Sequence, residues 1–344
     1  MKSYLKALLI FLAIVVVVLA IVLPLTLKKG SNNDTNTSTT SSTNTTTSIS
    51  TSTKTSTSTT VNNGSTYLYA VLTGNSNTIV RYSLSDSTYI NYYTFTDLVP
   101  KIITSDSSGN LYIGGINSST NAKEIRKIVT SGSTPVQTTY STSSLFTGSL
   151  VGMVYASDNN LYVIQNQPSL LLKVDSTGTA TAVTVPFSWV AVKAIDFDSA
   201  SNNLYVTDNG TGIAGSNTGF LAQIPISTPS TATKLVTKDL LYGLAVKNNN
   251  TFYVSFGTTT DTTPFYIMDN QGNLTKGVSN TTTSGQGSVI KLDRKYIGGD
   301  LLYINLINEK TIIYKALNPS PTGTYTNFAT SLSSASVYLD FTLI

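Results

Sequence analysis

Histidine and cysteine are both absent from the 344 residues. Their absence excludes a Ser-His-Asp triad, a cysteine nucleophile, an imidazole base, a disulfide framework and an ordinary zinc site. Acid–base or cation chemistry would fall to carboxylates, and these are scarce, with Glu124 and Glu309 the only two Glu. The densest grouping is Asp196, Asp198 and Asp208. Asp196 and Asp198 alternate with apolar Ile195 and Phe197, a strand-like pattern in which carboxylates usually serve structure. Asp106 and Asp158 sit in Asn/Ser-rich turns and read as turn caps. Gly285-Gln286-Gly287 lacks the Lys and helix start of a phosphate loop and reads as a turn. Trp189, the single tryptophan, would be a carbohydrate platform if exposed and a packing wedge if buried. Tyr92, Tyr93 and Tyr140 are expected at an outer rim.

The surface chemistry is unusual. Charged residues make up 11% of the chain, against roughly 25% in ordinary soluble domains. Five of the 21 basic residues and one of the 17 acidic ones precede residue 67, so the remainder carries 16 of each and no net charge. A basic patch is not available at the level of composition, and no nucleic-acid partner is expected. Polarity comes from Ser, Thr and Asn, whose hydrogen bonding hardly changes with pH. Such a surface suits an acidic or harsh exterior, as in secreted archaeal or viral proteins.

Two N-terminal segments place the rest of the chain. Residues 7–27 form an apolar run, about 31 Å long as a helix, enough to cross a bilayer core. It is expected to be a signal-anchor helix, with residues 1–6 cytoplasmic. A signal peptide cut after Val18-Leu19-Ala20, or a pilin-type cut near Lys6-Ala7, are the alternatives. Residues 28–66 are almost purely Ser, Thr and Asn beyond Lys28-Lys29-Gly30, and cannot offset chain entropy by burial. They read as a disordered low-complexity stalk. All three N-terminal readings put residues 67–344 outside the cytoplasm, and the signal-anchor reading makes them the ectodomain of a single-pass membrane protein. N-glycosylation sequons occur at Asn33, Asn36, Asn44, Asn63, Asn117, Asn209, Asn249, Asn273 and Asn280.

These elements are ordered by a repeat. The signatures Leu68-Tyr69-Ala70, Leu111-Tyr112-Ile113, Leu161-Tyr162-Val163, Leu204-Tyr205-Val206, Phe252-Tyr253-Val254 and Leu302-Tyr303-Ile304 recur at spacings of 43, 50, 43, 48 and 50. Each follows a turn rich in Asp, Asn, Gly or Ser, with short apolar strands before and after. A period in this range with four strands per unit marks a β-propeller, here all-β and six-bladed. The first unit lacks its leading strand, and residues 336–344 form such a strand with no signature after it. The C-terminal strand is therefore expected to complete the first blade. Its sequence echoes Ala194-Ile195-Asp196-Phe197-Asp198.

At Ala194–Asp208 and Gly243–Val254 the chain resembles the six-bladed propellers of the NHL, YVTN-repeat and gluconolactonase-like group. The resemblance extends over most of residues 67–344 and is one of repeat type. It implies a central channel that in lactonase-like members holds one divalent metal on carboxylate and Asn oxygens, a donor set that suits calcium. Here only Asp196, Asp198 and Asp208 offer themselves, and no Glu opens a first-blade strand. The expected function is a membrane-anchored binding or adhesion module without a required cofactor, taking a protein or glycan ligand on a propeller face. A metal-dependent lactonase-like hydrolase, or a structural component of a surface layer or virion, are the alternatives.

Overall fold

The computed structural model describes residues 66–74, 77–86, 88–257, 263, 265–277, 289–292, 301–307, 310–317, 324–330 and 337–344. The apolar run, the stalk with Asn33, Asn36, Asn44 and Asn63, Asn280, Gly285–Gly287 and Glu309 lie outside these residues. Among the described residues no helix is long and apolar enough to cross a membrane.

Almost every described element is a strand, in repeating groups of four. The first group is β1 (Tyr67–Thr73), β2 (Thr78–Ser83) and β3 (Tyr89–Thr94), and the second β4 (Leu98–Ser105), β5 (Leu111–Asn117), β6 (Lys123–Val129) and β7 (Val136–Ser141). Next come β8 (Ser149–Tyr155), β9 (Leu161–Asn166), β10 (Leu170–Val174) and β11 (Ala180–Ala182). The fourth group is β12 (Val192–Asp198), β13 (Asn203–Asp208), β14 (Phe220–Pro225) and β15 (Thr233–Thr237). The fifth is β16 (Leu241–Asn248), β17 (Thr251–Phe256), β18 (Tyr266–Asp269) and β19 (Leu274–Lys276). Last are β20 (Val289–Leu292), β21 (Leu301–Ile307), β22 (Lys310–Leu317), β23 (Thr324–Thr330) and the terminal β24 (Val337–Leu343).

These strands pair into six four-stranded antiparallel sheets, and β24 pairs with β1 at the head of the first, in the order β24-β1-β2-β3. The protein is an all-β propeller. Five of the sheets have described side chains and form consecutive blades; β20–β23 is described by backbone register alone.

The signature has a simple physical meaning. Adjacent strand residues point to opposite faces, so its first residue faces the preceding blade and its Tyr the following one. Tyr69 shares a core with Leu111, Tyr112 with Leu161, Tyr162 with Leu204, and Tyr205 with Phe252. Each of these cores lies between two consecutive sheets. Burying one such side chain stabilises the fold by roughly 2–3 kcal/mol, repeated at every seam. The Tyr hydroxyl is not left orphaned: those of Tyr112 and Tyr162 donate to Asp106 Oδ2 (3.2 Å) and Asp158 Oδ2 (2.9 Å) in the preceding turn. Asp106 also accepts the Ser108 and Asn110 amides at 2.9 Å each, so one carboxylate closes the turn and seats the ring.

The outer strands show how a weakly charged protein stops edge-to-edge pairing. β3, β7, β15 and β23 each break register at one large residue, Tyr92, Tyr140, Leu235 and Phe328. β11 and β19 are only three residues long. Bulges and short edges replace the charged gatekeepers this composition lacks. They also correct the rim expectation for the tyrosines. Tyr92 and Tyr140 lie on outer strands but fold inward, packing edge-on against Tyr69 (5.1 Å) and Tyr112 (5.0 Å). Tyr93 is half-buried, and its hydroxyl donates to Gln137 Oε1 of the next blade.

Candidate functional site

The carboxylates singled out by sequence do not converge. Asp208 lies opposite Val192 at one end of the β12–β13 pair and Asp198 opposite Asn203 at the other. Asp196 lies opposite Tyr205, roughly 12 Å along the strand from the level of Asp208. Each is occupied by its own neighbours. Asp196 accepts the Phe197 amide at 2.8 Å and reaches across the seam to the Val246 amide of β16 at 2.7 Å. Asp198 accepts from the Ala200 amide and the Ser201 hydroxyl, closing a turn. Asp208 accepts three amides, from Val190 (2.6 Å), Ala191 (2.9 Å) and Gly210 (2.8 Å). The three do not fit one shared cation, and among the described residues no group of three or more His, Cys, Asp or Glu could hold a metal ion.

Asp340 repeats the Asp196 device at the closing strand. Its carboxylate accepts the Phe341 amide at 2.8 Å and the Ile103 amide of β4 at 2.9 Å. The sequence echo between these segments is one of type and not of register. Asp196 faces a signature Tyr across the ladder, whereas Asp340 faces Val71, two residues beyond Tyr69.

Trp189 is a packing residue. Its ring stacks on Phe220 at 5.6 Å and meets Phe187 edge-on at 5.1 Å. The Lys234 ammonium lies 4.1 Å from the Phe220 ring centroid, completing an aromatic–cation cluster.

What sequence reading missed is a built loop. Residues 209–219 connect β13 to β14, and both feet are tied down by carboxylates. Asp208, completely buried, holds Gly210 at the entry. Asp239, from the segment leading into β16, holds the exit by accepting the amides of Asn217 (2.7 Å), Thr218 (2.9 Å) and Gly219 (2.8 Å) and the Ser216 hydroxyl (3.0 Å). The Gly219 amide and its companions stabilise the anion and bring the Asp239 carboxyl down to about 2. Gly210 has φ +67, and a Cβ there would collide with the Thr218 hydroxyl and the Gly219 amide. Leu240 adopts φ +64, strained for a branched residue, while its amide donates to Asn209 O and its carbonyl accepts from Gly257.

Above these feet the tip, residues 211–215, is exposed. Ile213 is 66% exposed, the most of any large apolar side chain among the described residues. Val190 (47%) and Tyr242 (37%) lie at the same end of the blades, with Lys193 Nζ 5.1 Å from the Tyr242 ring centroid. The other three exposed large apolar residues, Tyr89, Ile90 and Val136, belong to the outer strands. The arrangement supports recognition: apolar anchors on a pre-ordered backbone, with the ordering entropy already lost in folding.

No protein-family model matches the chain, and no curated protein matches it in sequence. Its fold is that of known propellers. The nidogen/laminin complex matches with a TM-score of 0.60 at 14% identity, over 80% of this chain and 97% of that one. TolB from Acinetobacter baumannii matches with a TM-score of 0.53 at 10% identity, over 80% and 66%. A gluconolactonase from Xanthomonas campestris gives 0.46 at 10% identity, over 73% and 84%. At these identities the likeness is one of fold.

Proposed function

We propose that the chain is an outward-facing, membrane-anchored propeller that binds a protein partner through the face bearing residues 209–219. In this reading the β20–β23 sheet is a sixth blade beside the five consecutive ones, a placement supported by the nearness of β20 to both β16 and β24. The observation that carries the binding reading is the loop itself: Asp208 and Asp239 hold both feet while Ile213 stands exposed at the tip. A propeller needs no such loop, and an apolar side chain on rigid backbone suits an apolar pocket on another protein. The propeller of the nidogen/laminin complex is a fold relative found with a protein partner. Net neutrality of residues 67–344 leaves binding to shape and apolar contact, with weak dependence on salt.

The test is a photo-crosslinking residue at position 213 in the full chain, assayed in membranes of the producing organism, with position 249 on the opposite face as control. A discrete adduct formed from 213, absent from 249 and abolished when Val190→Asp is introduced, is the expected result. Equal labelling from both positions would refute the assignment. Val190→Asp itself should leave thermal stability within about 0.5 kcal/mol, as for other exposed substitutions.

A further inference from the structure

Four described sequons differ sharply in what their carboxamides do. Asn117 is committed: its Oδ1 accepts the amides of Ser119 (3.0 Å) and Thr120 (3.1 Å), and its Nδ2 donates to Glu124 (3.3 Å). Glu124 is itself buried and paired with Arg126, which also pairs with Asp97 at 2.9 Å. Asn273 is likewise engaged, its Nδ2 donating to Asp269 Oδ2 at 2.8 Å. Neither Asn209 nor Asn249 makes a carboxamide hydrogen bond among the described residues, and the two differ in access. Asn209 is half-buried at the foot of the loop, where its backbone bonds both Ala191 and Leu240. Asn249 is exposed in the β16–β17 turn. The turn is held by its neighbours, since Asn248 Oδ1 accepts the Asn250 amide (3.0 Å) and Asn250 Oδ1 accepts Asn270 Nδ2 (2.8 Å).

We propose that Asn249 is the N-glycan attachment site among the four described sequons. The Asn249 nitrogen attacks the anomeric carbon of a polyprenyl-diphosphate-linked oligosaccharide. The N–C bond forms, the C–O bond to phosphate breaks, the lipid diphosphate leaves, and the amide proton passes to the transferase's base. The acceptor motif is Asn249-Asn250-Thr251, with Thr251 opening β17. A sugar on the nitrogen of Asn117 or Asn273 would instead crowd the carboxylate to which that nitrogen donates, Glu124 of the buried ion pair or Asp269 of the turn.

Position gives the site a consequence. Leu241 pairs with Phe256 at one end of the β16–β17 ladder and Asn248 with Thr251 at the other. The same span is five residues on β17, so Asn249 lies roughly 17 Å from the level of Tyr242 and the 209–219 loop, on the opposite face. The glycan covers the back of the propeller and leaves the recognition face open.

The proposal rests on outward placement of the chain, and the test separates the two. The full chain is produced in a secretory host that transfers N-glycans, and the folded protein is digested and its glycopeptides mapped by mass spectrometry. Asn249 should be occupied and Asn117, Asn209 and Asn273 bare. The Asn249→Gln variant should lose one glycan from the mass without a change in Tm. Glycans at Asn33, Asn36, Asn44 or Asn63 with Asn249 bare overturn the site while outward placement stands. A protein with no glycan anywhere overturns both, and folded protein glycosylated at Asn117, Asn209 or Asn273 overturns the selectivity.

Discussion

The β9–β10 and β13–β14 connections occupy equivalent places in adjacent blades and solve the same problem differently. In the third blade three residues, 167–169, suffice to turn the chain, and the Ser169 hydroxyl, bonded to Asn166 Oδ1 and Val190 O, is the main polar tie. In the fourth blade residues 209–219 do it, with two carboxylates and five hydrogen bonds to the feet. The first is the minimum the fold requires. The second adds exposed backbone and an apolar tip, and fixes its base with anions in a chain that has few. Scaffold and elaboration can therefore be told apart by what each uses its charges for.

The largest effect expected from breaking that contrast is at Asp208. Asp208→Ala leaves the Val190, Ala191 and Gly210 amides without their acceptor in a buried place, costing about 3 kcal/mol or more. For a domain of this size that is a drop in Tm of roughly 6–12 °C. Ser169→Ala, the corresponding change in the short turn, should cost about 1 kcal/mol at most. Calorimetry of both variants checks the pair, and equal costs would erase the distinction.

A smaller effect tests the scaffold. Asp340→Asn removes one of two carboxylate acceptors, so the Phe341 and Ile103 amides can no longer both be satisfied. The expected loss is about 1–2 kcal/mol, read as faster thermal unfolding, because β24 ties blade one to blade two. Asp196→Asn, the same device between β12 and β16, should match it. A cost confined to Asp196 would mean that the closing strand does not depend on its carboxylate.

The propeller and its C-terminal complement were legible because repetition is a strong signal: one Leu-Tyr pair recurs, and strand alternation fixes which blade each residue faces. The bulges were invisible, since Tyr92 and Tyr140 look like any rim tyrosine until register is known. The carboxylates misled for the opposite reason. Asp196, Asp198 and Asp208 are close in sequence, but ladder pairing sends Asp208 to one end and Asp198 to the other, and their partners are backbone amides that carry no sequence mark. The loop at 209–219 left one readable trace, the glycine-rich Asn209-Gly210-Thr211-Gly212-Ile213-Ala214-Gly215 between two strands. Its other foot, Asp239, lies outside the loop in sequence, and only the folded chain brings the two together.

The gentlest probe of the contrast is acid. Asp239 titrates at about 2 in the folded protein, against an ordinary value of 3.8, chiefly because the Gly219 amide donates to its anion. A depressed carboxyl contributes its full stabilisation above its unfolded value and loses it as pH falls through the folded one. The exit of the loop should thus stay held at pH 4 and 3 and release only near pH 2. Amide NMR shifts of Asn217, Thr218 and Gly219 should move together with a midpoint near 2, while those of Gln167 and Ser169, which no carboxylate holds, stay flat. A midpoint near 3.8 would show that the amides do not stabilise the anion, and that the loop is no better ordered than the turn beside it. A midpoint near 2 would mean that the recognition loop keeps its shape in acid by the hydrogen bonds that define its feet, in a protein whose other polar groups are mostly indifferent to pH.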